Sequence, residues 1–219
     1  MTTLATNARF VTFEGGEGAG KTTQIRHLGE RLGAAGIVHV ATREPGGSPG
    51  AEAIRRLLVA GGTDRWEPLT EAMLMLAARH DHWLRTIKPA LDQAKWVICD
   101  RFHDSTVAYQ GYGRGVPFET LEALRRTILG DRKPDLTLIF DLPVEVGLER
   151  ARARIRGAAA GEDRFERMDI GFHQRLRTGF LAIAKAEPER CVVIDAGDDA
   201  VGVSAAVAAA VSDRLGVRL

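Results

Sequence analysis

The sequence predicts an α/β protein with a five-stranded parallel sheet and helices on both faces. Short apolar, β-branched runs alternate with longer segments of helical periodicity along the 219 residues. Such alternation is typical of βαβ crossovers, which build a parallel sheet covered on both sides. Neither an internal repeat nor a low-complexity linker interrupts it, so we expect a single domain over residues 1–219.

The predicted strands are residues 10–13, 37–41, 96–99, 136–140 and 191–194. The predicted helices are residues 22–34, 51–58, 69–94, 118–129, 143–156, 170–187 and 200–215.

Composition and charge exclude several classes of protein. Thirty basic residues against twenty-nine acidic ones give a net charge of +1. That charge provides no broad positive field for nucleic acid or an anionic membrane. Cys99 and Cys191 lie in apolar runs, as core thiols do, and the N-terminus lacks the pattern of a secretory signal. We expect a cytoplasmic protein that binds neither nucleic acid nor membrane.

A glycine-rich loop follows the first predicted strand and precedes a predicted helix. Gly15, Gly20, Lys21 and Thr22 complete the pattern G-x-x-x-x-G-K-[ST] of the P-loop NTPases. In this pattern backbone N–H groups surround polyphosphate oxygens, the lysine reaches the outer phosphates and the hydroxyl binds Mg²⁺. We therefore expect ATP or GTP here. The predicted nucleotide-binding residues are Gly15, Gly16, Glu17, Gly18, Ala19, Gly20, Lys21 and Thr22.

Residues that follow the strands are the other candidates, because ligands of parallel sheets collect at the carboxyl ends of strands. Glu17 would be an anion among phosphates, which favours a role in holding a hydroxyl or a metal. Arg43 offers a planar fork to an acceptor phosphate or carboxylate. Asp100 ends the third strand, where P-loop enzymes organise Mg²⁺, and Arg101 beside it can hold a second anion.

Two further charged segments have different interpretations. His80 and His82 are at i and i+2 of a predicted helix and do not share a face, so we expect no metal there. The basic residues 149–156 and the segment 163–167 flank a Gly/Ala-rich stretch. We expect a short lid over about residues 150–167, whose arginines close on a transferred phosphoryl group. A solvated charged helix is the alternative.

Several motifs taken together resemble bacterial thymidylate kinases, a P-loop nucleoside monophosphate kinase family. They are FEGGEGAGKTT, TREPGGS, LAAR, DRFHDSTVAYQG and the lid pair RARAR with DRFE, and they span nearly the whole chain in the family's order. The resemblance implies transfer of the γ-phosphoryl group of ATP to dTMP, which gives dTDP and ADP, with Mg²⁺ as cofactor and a homodimer as the assembly.

The resemblance also implies roles for individual residues. Glu17 holds the 3′-hydroxyl of the acceptor, Arg101 binds its phosphate, and Asp100 joins Thr22 at the metal. Arg79 and Thr106 read the thymine edge, and Tyr109 crowds the 2′ position. Where many members have a phenylalanine that stacks on thymine, this chain has Met75, whose sulfur can contact the base. The phosphate loop has no basic residue at its variable positions, which in the family accompanies a catalytic lid arginine, here Arg150 or Arg154. The predicted catalytic residues are Glu17, Lys21, Arg101, Arg150 and Arg154.

Two alternatives remain open at the level of sequence. One is another P-loop kinase that phosphorylates a deoxynucleoside or a different monophosphate, although Arg43, Arg79 and Arg101 favour an acceptor that already carries phosphate. The other is a nucleotide-dependent switch. The chain lacks the N-K-x-D and D-x-x-G elements expected of a GTPase, which favours the kinase.

Overall fold

The computed structural model describes residues 8–155 and 163–219, with the side chains of residues 154 and 155 outside that description. Its five strands form one parallel sheet in the order β2-β3-β1-β4-β5. The strands are β1 Phe10–Gly15, β2 His39–Arg43, β3 Trp96–Asp100, β4 Leu136–Asp141 and β5 Cys191–Asp195. The predicted five-stranded α/β fold is thus confirmed, and the strand that leads into the phosphate loop is central.

Helices connect the strands. They are α1 Lys21–Ala34, α2 Pro49–Val59, α3 Pro68–His82, α4 Lys88–Asp92, α5 His103–Thr106, α6 Phe118–Leu129, α7 Val144–Ile155, α8 Ile170–Ala186 and α9 Ala200–Leu215. Two π-helical turns, Trp83–Ile87 and Val107–Gly113, continue α3 into α4 and extend α5.

Both faces of the sheet are buried, and the side chains of each strand alternate between two cores. On β1, Val11 and Phe13 pack with Leu28 and Leu32 of α1. Phe10, on the opposite face, packs with Trp83. This alternation at period two is what a sheet between two helical layers requires.

Two predicted elements differ from the structure. The second strand begins at His39 rather than Ile37 because the Ile37 amide donates to Leu32 O at 2.8 Å, which makes this residue part of the α1 cap. The predicted helix 69–94 is a continuous helical run in which a π-helical turn separates α3 from α4, and it ends at Asp92. Helical structure in residues 103–113 was not predicted.

Candidate active site

The phosphate loop requires glycine where its backbone turns left-handed against neighbouring main chain. Gly15 has φ +128° and Gly18 has φ +68°. A Cβ on Gly15 would collide with the carbonyl of Phe140 in β4, and one on Gly18 with the carbonyl of Gly147 in α7. The loop is therefore held between β4 and α7 by contacts of backbone with backbone.

Lys21 begins α1 and folds back over the phosphate loop. Its Nζ donates to Gly16 O at 2.8 Å and to Gly15 O at 3.1 Å. Burial, followed by the charge of Arg101, lowers the pKa of Lys21 to about 8. An anion bound in the loop would counter both effects and favour the charged amine.

The two residues predicted to hold Mg²⁺ contact each other. Thr22 Oγ1 donates to Asp100 Oδ2 at 3.0 Å, across the gap between the start of α1 and the end of β3. A hydroxyl and a carboxylate are oxygen donors that suit a hard cation. Within residues 8–155 and 163–219 we find no cluster of three or more His, Cys, Asp or Glu side chains that could hold a metal. Mg²⁺, which commonly takes few protein ligands and completes its shell with phosphate oxygens and water, fits such a pair.

Arg101 lies in a left-handed conformation, with φ +70°, immediately after β3. Few non-glycine residues adopt this region, and those that do are often held at functional sites. The Arg101 guanidinium donates to Gly15 O at 2.8 Å, to Ser105 Oγ at 3.2 Å and to Glu17 Oε1 at 3.0 Å. It therefore joins the end of β3 to the phosphate loop.

Glu17 is the acidic partner of Arg101. Its Oε1 also accepts a hydrogen bond from the Tyr109 hydroxyl at 2.5 Å, and the Arg101 guanidinium lies over the Tyr109 ring, 4.9 Å from its centroid. Burial alone raises the pKa of Glu17, but the charges of Arg101 and Lys21 outweigh it and bring the pKa down to about 2. Glu17 is therefore a carboxylate throughout the neutral range.

A second glutamate, Glu14, lies beneath Arg101 and is fully buried. Its carboxyl accepts hydrogen bonds from the Phe102 amide at 2.7 Å and the Ser105 hydroxyl at 2.5 Å. Burial, reinforced by the charge of Asp104, raises the pKa of Glu14 to about 7. Because it anchors the residue after Arg101, Glu14 helps to hold the strained backbone in place.

A cleft opens beside the phosphate loop and is lined by residues from several separate parts of the chain. Arg79, which is 3% exposed, forms its floor and donates to Thr106 Oγ1 at 2.8 Å and to Glu44 Oε2 at 2.6 Å. The full lining is Glu17, Glu44, Pro45, Arg55, Val59, Met75, Arg79, Arg101, Ser105, Thr106, Tyr109, Gln110, Phe165 and Glu166. Arginines, a thioether and an aromatic ring suit a flat, anionic ligand.

The family model for thymidylate kinase matches residues 13–206 of this chain. The chain belongs to the thymidylate kinase family. It is 57% identical over 212 residues to a thymidylate kinase from Caulobacter vibrioides. This alignment covers 97% of this chain and all of that protein. It is 56% identical to one from Nitrobacter winogradskyi, covering 94% of this chain and 89% of the other.

Among solved structures, the chain is similar to the crystal structure of thymidylate kinase from Ehrlichia chaffeensis. The TM-score is 0.72 at 37% sequence identity, over 93% of this chain and 98% of the other. The resemblance inferred from the sequence is thus confirmed, and with it the interpretation of the chain as a P-loop nucleotide kinase rather than a nucleotide-dependent switch.

The predicted site residues of this thymidylate kinase family member divide into those that lie together around one site and those that lie elsewhere. The structure brings most of them around one site at the carboxyl ends of β1 and β3. Glu17, Met75, Arg79, Arg101, Thr106 and Tyr109 line the cleft. The phosphate loop, Gly15 to Thr22, adjoins the cleft through Glu17, and Asp100 contacts Thr22.

Arg43 was predicted to contact the acceptor, but the structure places its side chain elsewhere. Its side chain is 56% exposed and pairs with Glu52 at 3.0 Å, outside the cleft. Successive strand residues point to opposite sides, and the next residue, Glu44, is the one that enters the cleft. The cleft's arginine from this part of the chain is Arg55 of α2, which donates to Pro45 O at 2.9 Å.

The predicted lid is only partly described. Arg150 is exposed on α7 and donates to Ala196 O at 3.3 Å, toward the connection between β5 and α9. The side chain of Arg154 and residues 156–162 lie outside the described part of the chain. Arg164 differs from the lid expectation, because it is fully buried and bonded to Leu58 O, Gly62 O and Thr63 O.

Some residues of the site were not singled out from the sequence. Arg55 reaches the cleft from within α2, so the rule that located Arg101 could not find it. Phe165 and Glu166 were predicted only as part of the lid segment 163–167, and they line the cleft. Glu44 was visible only as part of the REPGG motif. Its burial beside Arg79 follows from the tertiary packing of α3 on the loop after β2.

We expect Glu14 to make stability decrease with pH. Since its folded-state pKa of about 7 exceeds the ordinary 4.5, the folded protein binds this proton more tightly than the unfolded chain. Its stabilisation is complete below pH 4.5 and is lost as the pH rises through about 7. Between pH 5 and 8 the parent should lose on the order of 1–3 kcal/mol more than Glu14→Gln, as measured by urea unfolding. Equal losses in both proteins would refute the assignment.

Proposed function

We propose that this chain catalyses transfer of the γ-phosphoryl group of ATP to dTMP, with ATP on the phosphate loop and dTMP in the adjoining cleft. Family membership supplies the reaction, which yields dTDP and ADP. One observation carries the arrangement of the two substrates. The Arg101 side chain lines the cleft and also binds Gly15 O and Glu17 of the phosphate loop, so the two anion sites share a wall.

In this mechanism the residues position and neutralise charge. A phosphate monoester has its second pKa near 6, so the acceptor oxygen is largely ionised at neutral pH without a general base. Catalysis then depends on alignment and on electrostatic stabilisation of the transferred group. Lys21 supplies one positive charge at the phosphate loop, and Arg101 supplies another at the acceptor phosphate.

Mg²⁺ is the cofactor that the donor set favours. Thr22 and Asp100 would hold it, and it would neutralise negative charge on the ATP phosphates. Arg154 stays a predicted lid arginine on the strength of the sequence, whereas Arg150 faces the β5–α9 connection and is the weaker candidate.

The nucleoside end of the acceptor lies toward Arg79, Met75 and Tyr109 in this proposal. Arg79 donates to the Thr106 hydroxyl, so the two form a polar edge beside the Met75 thioether. The Tyr109 hydroxyl is held against Glu17, at the side of the cleft nearest the phosphate loop. Hydrogen bonding from Arg79 and Thr106 would read the base, and the Tyr109 ring would limit space beside the sugar.

We place the enzyme in the cytoplasm. None of the helices in residues 8–155 and 163–219 is long and apolar enough to cross a membrane. Cys99 and Cys191 are buried free thiols, as is usual in a reducing compartment.

We expect dTMP to be the preferred acceptor in an ADP-release assay with ATP and Mg²⁺. Parallel reactions with dUMP, dCMP, AMP and thymidine supply the comparison. The kcat/KM for dTMP should exceed that for dUMP about tenfold or more, the range that one methyl group can give in an apolar pocket. Thymidine should be inert because it brings no phosphate to Arg101. ATP hydrolysis that is indifferent to every acceptor would contradict the proposal.

Substitution of three arginines should separate the acceptor contacts. Loss of a charged hydrogen bond costs about 1.5–3 kcal/mol, so Arg101→Ala should raise the KM for dTMP roughly ten- to hundredfold. Arg55→Ala should also raise it, because Arg55 lines the same cleft. Arg43→Ala is the matched control, since that side chain lies outside the cleft, and its KM should stay within about twofold of the parent. An unchanged KM in Arg101→Ala would remove this residue from the acceptor site.

A homodimer is the proposed assembly, and exposed apolar residues on three adjoining helices support it. Leu57 on α2, Leu69 and Met73 on α3 and Phe118 on α6 are 41%, 45%, 55% and 50% exposed. α3 packs on both α2 and α6, so the three helices form one side of the molecule. Large exposed apolar side chains that share one side of a protein mark an association surface.

Met73→Lys should disrupt this assembly because it places a charge among the exposed apolar side chains of the proposed interface. The parent should sediment at twice the 23.8 kDa chain mass, and the variant at the chain mass. Val201→Lys is the control, since Val201 is 76% exposed on α9, away from these helices. A monomeric parent at micromolar concentration would contradict the dimer.

A further inference from the structure

A buried histidine at the end of α3, His82, contacts a residue that lines the acceptor cleft. His82 is 0% exposed, and its imidazole contacts one residue near the end of β2, Thr42, and one in the loop that follows, Glu44. Its Nδ1 lies 3.0 Å from Glu44 Oε1, and its Nε2 lies 2.7 Å from Thr42 Oγ1. Since a carboxylate can only accept a hydrogen bond, His82 Nδ1 is protonated and donates to Glu44.

Glu44 is the residue through which His82 can influence substrate. One carboxylate oxygen accepts from His82 and the other from Arg79 Nε at 2.6 Å. Glu44 and Arg79 both line the cleft, and each is less than one-tenth exposed. Removing His82 would leave Glu44 Oε1 buried without this donor, a state that costs free energy unless the side chain moves.

The same face of the helix makes further contacts with this loop. Arg79, His82 and Thr86 are spaced at i, i+3 and i+7, which brings them to one side of a helix. The Thr86 hydroxyl donates to Gly47 O at 2.7 Å. Gly47, with φ +82°, lies against the His82–Thr42 contact, where a Cβ would collide with both side chains. The loop is thus pinned to α3 and its π-helical extension along its length.

From these contacts we propose that His82 is a positioning residue for the acceptor: it fixes Glu44, which holds Arg79 at the base end of the cleft. The inference rests on the proposed function, because it concerns binding of dTMP. It also gives a role to the Arg79-His80-Asp81-His82 segment. In this segment His82 faces the loop, while His80 is exposed on the other side of the helix.

Two variants of His82 and one control variant of His80 test the inference. His82→Leu keeps an apolar side chain of similar size but loses both hydrogen bonds. His82→Asn places an amide donor near the position of Nδ1 and can restore the contact with Glu44. His80→Leu makes the same chemical change at an exposed position of the same helix and is the matched control.

The parent must first show dTMP kinase activity, since its absence would contradict the proposed function rather than the role of His82. His82→Leu should then raise the KM for dTMP about tenfold while the KM for ATP stays within about twofold. Titration calorimetry should show the same loss of dTMP affinity in the absence of ATP. His82→Asn should recover most of the loss, and His80→Leu should match the parent.

Other outcomes would overturn the inference. An unchanged KM for dTMP in His82→Leu would show that Glu44 holds Arg79 without the histidine. Equal increases in the KM values for dTMP and ATP, or no recovery in His82→Asn, would show a general loss of structure. If His82→Leu does not fold, Thr42→Val, which removes only the hydroxyl on Nε2, tests the same chain of contacts. An unchanged dTMP affinity in that variant would likewise refute the role of the imidazole.

Discussion

The ion pair between Arg101 and Glu17 is the interaction on which the candidate site depends. Its two members come from different strand ends, and the pair joins them at 3.0 Å. Arg101 adopts a left-handed backbone to reach it, and Glu14 below compensates by accepting from the next amide. The Tyr109 hydroxyl and ring pack on the same pair. One partly buried charge contact therefore fixes the relative positions of the phosphate loop, the end of β3 and the acceptor cleft.

Local patterns in the sequence pointed to the residues that the structure brings together here. The phosphate loop is a contiguous motif. Asp100 and Arg101 come at the end of a short apolar run whose pattern predicts a buried strand, and that run is β3. The Thr22–Asp100 contact required only that the start of α1 and the end of β3 share one edge of a parallel sheet. Predictions of this kind depend on order along the chain and on strand direction.

The predictions that differ from the structure depend on side-chain direction or long-range packing. Arg43 and Glu44 are neighbours, and only their position in the strand end decides which of them enters the cleft. Arg164 was interpreted as part of a charged lid, but its guanidinium pairs with Glu71 of α3. It also donates to one carbonyl at the end of α2 and to two carbonyls of the α2–α3 connection. Nothing in the local sequence distinguishes a buried structural arginine such as Arg164 from an exposed one.

The contact between Gly18 and Gly147 has a consequence for protein engineering. Neither residue has a side chain, so the spacing between the phosphate loop and α7 is set by main-chain atoms alone. A chimera that exchanges the segment after α7 with that of a relative should therefore keep the first turn of α7 intact and place its junction beyond Gly147. A junction earlier in the helix would change the geometry of the phosphate loop, even if every residue of the loop itself were retained.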